Sequence, residues 1–243
     1  MRFLRCGDCL DIMPNIPDQS VDMILCDLPY GTTRNQWDSV VALDKLWAEY
    51  KRICRGAIVL MAQTPFDKVL GVSNLSMLRY EWIWEKSNPT GHLNAKKMPM
   101  KAHENALVFY AKQPTYHPIK TTGHVKKTAV KRFDITTNYG AQSFTELPYS
   151  STERYPRSVL QFPSDKQTSK LHPTQKPVAL MEYFIRTYTN PRDVVLDNCM
   201  GSGTTGVACA NTDRRFIGIE NNPRYFRIAR SRLEECHPER IAS

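Results

Sequence analysis

The chain of 243 residues is long enough to bury a sizeable core, and its 41% hydrophobic and 23% charged residues are ordinary for a globular protein. No apolar run approaches the length of a membrane span, and the N-terminus lacks the apolar core and cleavage site of a signal peptide, so we expect a cytoplasmic protein. Lys and Arg number 33 against 24 Asp and Glu, which favours a polyanionic partner.

In chain order, the hydrophobic pattern alternates between short buried runs and amphipathic stretches. It predicts a strand over 21–27, a helix over 43–54 that stops at Gly56, and strands over 57–62, 80–86 and 105–112. Alternation of this kind predicts an α/β, Rossmann-like fold with a mostly parallel twisted sheet and helices on both faces.

The basic residues are concentrated between Lys86 and Arg132, where the only acid is Glu104. Aromatic residues lie in or beside this stretch. Lys and Arg neutralise phosphates and aromatic rings stack on bases, so nucleic acid is the leading partner.

From about residue 113 to 170 the pattern degrades, and Pro, Thr, Ser, Tyr and Lys dominate. We interpret this stretch as a ligand-contacting insert rather than a disordered one, because it interrupts a regular fold and carries part of the basic excess. Regularity resumes with a helix over 176–188, a strand–turn–helix–strand unit over 193–222 and a final helix over 223–235. The predicted domains are therefore 1–112 with 171–243, and the insert 113–170.

The glycine-rich turn of that unit matches G-x-G-x-x-G at Gly201, Gly203 and Gly206, after a strand and before a helix. Glu220 ends the next strand, where an acid can accept hydrogen bonds from ribose hydroxyls. These features predict an adenosine-containing cofactor.

Two classes of cofactor remain at this point, a nicotinamide dinucleotide and S-adenosylmethionine. Asp197, just before the glycines, would repel a pyrophosphate but attract an ammonium group. Only about forty residues follow the turn, too few for a second mononucleotide-binding half. Both points favour the methyl donor, and a nicotinamide-dependent oxidoreductase is kept as the alternative from another class.

The seven cysteines are odd in number and most lie in apolar segments, which predicts buried, reduced thiols. Cys6 and Cys9 form a C-x-x-C pair, but no second pair or spaced histidines complete a zinc site. No metal is predicted.

Two motifs together resemble the amino-group DNA methyltransferases: "DLPY" at Asp27–Tyr30 and "DNCMGSGTT" at Asp197–Thr205. The order, with the catalytic motif first and the cofactor motif last, resembles the beta class of that family, whose motif order is circularly permuted. Further similar motifs are "GDCLDIM" (7–13), "HPTQKP" (172–177) and "GIEN" (218–221). One departure is Leu28, where the family usually has proline; its carbonyl is retained, so we expect activity to survive.

The resemblance implies methyl transfer from S-adenosylmethionine to the N6 amine of an adenine flipped out of double-stranded DNA, with N4 of cytosine as the alternative. It assigns catalysis to Asp27, Leu28, Pro29 and Tyr30. Asp8 and Cys9 would lie near the cofactor's adenine, Thr174 and Lys176 at its methionine end, and Glu220 at its ribose. The remaining cofactor-binding residues are predicted to be Asp27, Asp197, Met200, Gly201, Ser202, Gly203, Thr204, Thr205 and Asn221.

The predicted DNA-facing residues are Lys96, Lys97, Lys101, Lys126, Lys127, Lys131 and Arg132, and the insert 113–170 is predicted to read the target. His103 and Glu104 resemble a His-Glu pair of the family, for which structural and DNA-contacting roles both stay open. Protein or RNA targets and a DNA-binding module with an inactive core are weaker alternatives. A homodimer and a cognate restriction endonuclease, as in a restriction-modification system, are further partners that the sequence leaves undecided.

Overall fold

The computed structural model describes residues 2–31, 41–129, 149–163 and 175–236. The chain divides into two compact units, Met1–His117 with Ser158–Ser243, and Pro118–Arg157. The second unit is shorter than the predicted insert 113–170, because the strand at Val159–Phe162 pairs within the first unit's sheet.

The first unit alternates strands and helices along the chain, as its hydrophobic pattern predicts. Its strands are β1 Arg2–Cys6, β2 Val21–Asp27, β3 Cys54–Ala62, β4 Leu78–Thr90, β5 Lys101–Phe109, β8 Val159–Phe162, β9 Val194–Asp197 and β10 Arg215–Glu220. Its helices are α1 Cys9–Ile12, α2 Leu43–Ile53, α3 Phe66–Ser73, α4 Val178–Tyr188, α5 Thr204–Asn211 and α6 Pro223–Glu235.

These strands form one sheet in the order β1-β10-β9-β2-β3-β5-β4-β8. All neighbours are parallel except β5, which runs antiparallel to both β3 and β4. Because β1, β2, β9 and β10 are parallel, their carboxyl ends meet at one edge of the sheet. Asp27, Asp197 and Glu220 are the last residues of three of these strands, so the fold brings the three carboxylates to the same edge.

The two faces of the sheet carry separate apolar cores, which is why the central strands are apolar at successive positions. Along β2, Ile24 and Cys26 belong to the core packed by residues of α1, α2 and α3, and Met23 and Leu25 belong to the core packed by α4, α5 and α6. The prediction of helices on both faces is confirmed.

The prediction that α2 stops at Gly56 is wrong. The helix ends at Ile53 and the chain enters β3 directly at Cys54, so Gly56 lies inside the strand. A Cβ atom at Gly56 would lie 1.8 Å from the Asp22 carbonyl oxygen on β2, so close strand packing explains this glycine.

The second unit contains β6 Lys127–Ala129 paired antiparallel with β7 Tyr149–Ser151. An antiparallel bridge joins Thr121 to Arg154. No helix in the described part of the chain is long and apolar enough to cross a membrane.

Candidate active site

A cavity of about 540 Å³ opens at the carboxyl edge of the sheet. It lies where β1, β2, β9 and β10 end and where the loops that follow them begin. Predicted site residues that line it are Asp8, Cys9, Asp27, Pro29, Lys176, Asp197, Met200, Gly201, Ser202, Thr204, Thr205, Glu220 and Asn221.

Three predicted residues do not line this cavity, and one cannot be placed. Leu28, Tyr30 and Gly203 are absent from its wall, although each is next in sequence to a residue that forms the wall. Thr174 lies outside the described residues.

Glu220 fixes the glycine-rich turn. Its Oε2 accepts a hydrogen bond from the Gly201 N–H at 2.8 Å, and its Oε1 accepts one from the Asn222 N–H at 2.8 Å. Burial raises the pKa of Glu220, and these two backbone donors oppose the rise. Because each carboxylate oxygen can accept a second hydrogen bond, the side chain is oriented by the backbone and still able to bind a ligand.

Asp197 is buried beneath the same turn. Its Oδ2 accepts from the Thr205 hydroxyl at 2.6 Å, and its Oδ1 accepts from the Cys199 N–H at 3.1 Å. Burial raises the pKa of Asp197 to about 7, and these hydrogen bonds limit the increase. A cation in the cavity would favour the ionised carboxylate.

The second and third glycines of the turn serve packing rather than the cavity wall. Gly203 caps α5 with φ of 81°, and a Cβ there would approach the Cβ of Ala229 on α6 to 3.0 Å. At Gly206, a Cβ would meet Phe216 at 2.7 Å and Leu233 at 2.8 Å. Both glycines allow α5 to approach its neighbours closely, which supports the turn from behind.

Both carboxylate oxygens of Asp27 have partners. The Tyr30 hydroxyl donates to Oδ1 at 2.6 Å, and Lys176 Nζ donates to Oδ2 at 2.7 Å. The Tyr30 ring stacks on Phe66, with 5.3 Å between centroids. Burial raises the pKa of Asp27 and Glu104 adds to the rise, while Lys176 and Tyr30 oppose it.

Leu28, the departure from the family's usual proline, is 3% exposed and belongs to the core on the α1–α3 face. Its side chain therefore anchors the segment between Asp27 and Pro29.

Glu104 is the functional candidate for which the sequence left two roles open. Its Oε1 lies 2.5 Å from Lys86 Nζ and its Oε2 lies 3.0 Å from Lys176 Nζ. In the sequence, the signal that pointed to Glu104 was its position as the single acid in the basic stretch between Lys86 and Arg132. Lys86 was counted with the DNA-facing basic stretch, but its side chain is 8% exposed and ion-paired, so that interpretation is wrong for Lys86.

Five of the predicted DNA-facing lysines lie in the part of the chain that the structure describes, and all five are exposed. Lys96, Lys97 and Lys101 lie on or beside the β4–β5 connection of the first unit, and Lys126 and Lys127 lie in the second unit. Lys131 and Arg132 lie outside the described residues.

The structure has no disulfide among the seven cysteines. Four of them are buried, Cys199 and Cys236 are half-buried, and Cys6 is exposed. Cys9 and Cys199 line the cavity, and a contact between their side chains raises the pKa of Cys9. Within the described ranges, no group of three or more His, Cys, Asp or Glu side chains is arranged to hold a metal ion.

Comparison with known proteins gives the family. The model of the N6_N4_Mtase family, described as DNA methylase, matches residues 21–231. DNA adenine methyltransferase YhdJ of Escherichia coli (strain K12) is 31% identical, over 94% of this chain and 81% of its own length. Type II methyltransferase M.HinfI of Haemophilus influenzae is 26% identical, over 96% of this chain and 68% of its own length.

A solved structure of similar fold supports the same family. The crystal structure of an M1.HpyAVI–SAM complex is 28% identical and superposes with a TM-score of 0.65, covering 96% of this chain and 99% of that one. The fold, the motif order and the family match agree over most of the sequence, and the chain belongs to the DNA methylase family.

Proposed function

We propose that the protein transfers a methyl group from S-adenosylmethionine to the exocyclic N6 amine of adenine at a specific site in double-stranded DNA. The family match supports DNA as the substrate, and the relative from Escherichia coli, named an adenine methyltransferase, supports the base. The observation that carries the proposal is the position of Asp27. Its carboxylate ends β2 in the wall of the same cavity that Asp197 and Glu220 line.

The charges of the cavity wall fit this cofactor. Four carboxylates line it, those of Asp8, Asp27, Asp197 and Glu220, against the single ammonium group of Lys176 among the described lining residues. Such a wall repels a pyrophosphate and attracts a sulfonium and an ammonium group. When bound, S-adenosylmethionine would supply an electrophilic methyl group. A nicotinamide-dependent oxidoreductase is therefore not supported.

The roles within the cofactor site follow from the contacts. Glu220, oriented by two backbone N–H groups, would accept hydrogen bonds from the ribose hydroxyls. Asp197 would attract the amino-acid ammonium group. Asp8, whose carboxylate caps α1 by accepting from Leu10 N, would lie with Cys9 beside the adenine.

Lys176 is proposed to hold the methionine end together with Thr174. An ammonium group has three donors. Two of the three face Asp27 and Glu104 in this structure, so one remains for the carboxylate of the methionine moiety.

Asp27 would activate the target amine. An exocyclic amine on a base is a poor nucleophile, because its lone pair is delocalised into the ring. The Asp27 carboxylate and the Leu28 carbonyl would accept hydrogen bonds from its two N–H groups and draw the lone pair out of the plane. The amine then forms the new N–C bond in line with the breaking C–S bond, whose electron pair stays on sulfur. One proton leaves N6 through the hydrogen bond to Asp27 and passes to solvent.

Tyr30 would rearrange when the base enters, because its ring is stacked on Phe66 and its hydroxyl donates to Asp27 Oδ1 in the free protein. We assign to Tyr30 the stacking of the flipped base, worth about 1–3 kcal/mol. Base entry would exchange the contact between Tyr30 and Asp27 for one between the amine and Asp27.

The exposed lysines would hold DNA, and the insert 113–170 would read it. Lysine meets phosphate as a point charge and carries no sequence information, so the lysines would set affinity and the insert would set the recognised site. A cytoplasmic location, a homodimer and a cognate restriction endonuclease remain predictions.

The test is the methylated base in DNA from cells that express the protein. Mass spectrometry of hydrolysed DNA should show N6-methyladenine with the wild-type protein and none with Asp27→Ala. N4-methylcytosine in its place would favour the cytosine alternative, because the same pocket chemistry serves that amine. Methylation-sensitive sequencing of the same DNA would give the recognised site.

A further inference from the structure

A continuous row of charged groups leads from Asp27 away from the cavity. Lys176 Nζ contacts Asp27 Oδ2 at 2.7 Å and Glu104 Oε2 at 3.0 Å, and Lys86 Nζ contacts Glu104 Oε1 at 2.5 Å. We call these four side chains the charge row. Its members come from β2, β4, β5 and the segment before α4, so only the folded chain brings them together.

The charge row is buried at the end far from the cavity. The side chains of Lys86, Glu104 and Lys176 are 8%, 10% and 8% exposed, and that of Asp27 is 26% exposed. Lys86 also lies over the ring of Trp84, 5.4 Å from its centroid. Burying four charges costs more than a well-packed apolar cluster of the same volume would, so stability alone does not explain them.

Lys176 lies between two carboxylates that compete for it. Its Nζ donates a hydrogen bond to Asp27 Oδ2 at 2.7 Å and forms an ion pair with Glu104 Oε2 at 3.0 Å. The two carboxylates lie within about 6 Å of each other, since both contact the same nitrogen. Any change in the charge of Glu104 therefore changes how much of the Lys176 charge acts on Asp27.

We propose that Glu104 and Lys86 are positioning residues that set the strength of Asp27 as a hydrogen-bond acceptor in opposite directions. Glu104 draws part of the charge of Lys176 away from Asp27, and Lys86 limits that effect by pairing with Glu104. The inference rests on the proposed function, because it assigns Asp27 to the target amine. Neither Glu104 nor Lys86 lines the cavity, and by this proposal neither touches the substrate.

The pKa shifts of Glu104 and Lys176 agree with a Lys176 charge that is shared between Asp27 and Glu104. Burial disfavours the charge on Glu104, but Lys176 and Lys86 outweigh burial and lower the pKa of Glu104 to about 2. Burial also disfavours the charge on Lys176, but Asp27 and Glu104 outweigh it and raise the pKa of that ammonium. Glu104 and Lys176 therefore stay charged near neutral pH, whereas burial raises the pKa of Asp27.

Among the described residues, the ionisable groups that act on Asp27 besides Lys176 and Glu104 include Tyr30 from the following loop and Asp197 at the end of β9. Tyr30 has a pKa raised by burial and by Asp27, so it stays neutral. Cys26, one residue before Asp27, has a pKa raised to about 12 by burial and is also neutral.

Opposite charge changes in the row should shift the pKa of Asp27 in opposite directions. Glu104→Gln removes a negative charge, so the full charge of Lys176 acts on Asp27 and the pKa of Asp27 falls. Lys86→Met removes a positive charge and leaves Glu104 to compete harder for Lys176, so the pKa of Asp27 rises. One unit charge at about 6 Å is expected to move the pKa by about one unit.

The experiment measures the ionisation of Asp27 in two ways. Carboxyl-carbon NMR on protein with labelled aspartate, assigned by Asp27→Asn, gives the pKa without cofactor or DNA. Single-turnover methyl transfer against pH gives the acidic limb of the rate. Both should shift down for Glu104→Gln and up for Lys86→Met, with a lower plateau rate for Glu104→Gln.

Two further variants make the result decisive. Glu85→Gln removes the same charge from an exposed position on β4, where Glu85 accepts from Gln161, and should shift nothing. The double variant Lys86→Met/Glu104→Gln should keep the lowered Asp27 pKa of Glu104→Gln, because Lys86 acts on Asp27 through Glu104; it also tests the idea if Glu104→Gln folds poorly.

Shifts in the same direction for both single variants, a pKa of Asp27 that rises in the double variant as it does in Lys86→Met, or no shift in folded protein would overturn the proposal. If the NMR shifts appear but the wild-type protein methylates no DNA, the proposed function fails and the electrostatic coupling stands. If the wild-type protein methylates DNA and the shifts are missing, the coupling fails alone.

Discussion

Glu220→Ala separates ligand binding from the support of the glycine-rich turn. In the free protein this carboxylate accepts from the N–H groups of Gly201 and Asn222, each at 2.8 Å. Its remaining lone pairs are available to the ribose. A hydrogen bond to a charged group contributes about 1.5–3 kcal/mol, so losing the ribose contact should weaken S-adenosylmethionine binding by about 10- to 150-fold.

The two backbone contacts add a second effect. Their loss leaves two partly buried N–H groups without an acceptor, which should lower the free energy of unfolding by about 1–3 kcal/mol each if water does not replace the carboxylate. Titration calorimetry gives the affinity and thermal melting gives the stability. Both measurements are needed, because a loosened turn would also weaken binding.

Glu234→Ala is the matched control. Glu234 is exposed on α6 and contacts Arg230 at 3.7 Å, so both affinity and melting temperature should match the wild type. If Glu220→Ala lowers the melting temperature but leaves the affinity unchanged, Glu220 supports the turn and does not bind the cofactor.

Three more predictions concern the base, the DNA and the cofactor. Tyr30→Phe keeps a ring for stacking and removes the hydroxyl that donates to Asp27 Oδ1, so single-turnover methylation should persist. A loss of methylation as large as that of Asp27→Ala would contradict the role given to the ring. Replacing Lys96, Lys97 and Lys101 by alanine should weaken binding to all DNA sequences alike and lower the salt slope by up to about three, while Lys51→Ala at the end of α2 should not. Affinity for S-adenosylmethionine should fall as pH drops through about 7, because protonation of Asp197 removes a charge that attracts the cofactor. In Asp197→Asn this pH dependence should disappear. If the pH dependence persists in that variant, another group causes it.

The sequence predicted the catalytic edge of the fold well, for a physical reason. A parallel strand buried on both faces is a continuous apolar run, and the first acid after it marks the strand's carboxyl end, as at Asp27, Asp197 and Glu220. Parallel ends meet at one edge, so three separate sequence signals predict one site.

The sequence predicted long-range pairing less well. Local periodicity does not give strand direction, so it did not show that β5 runs antiparallel to its neighbours. Gly56 was interpreted as a helix end, because the close approach to Asp22 that explains it comes from another strand. Lys86 was counted as surface charge, because its partner Glu104 is brought to it only by the β4–β5 pairing.

The most direct measurement of the central claim is methyl transfer by Asp27→Ala, made beside a measurement of cofactor affinity. Labelled S-adenosylmethionine and duplex DNA containing the recognised site should give N6-methyladenine with the wild-type protein. Asp27→Ala should give none above background while calorimetry shows that it still binds S-adenosylmethionine. Near-normal turnover by Asp27→Ala would contradict the account, because the amine would then be activated without the carboxylate at the end of β2.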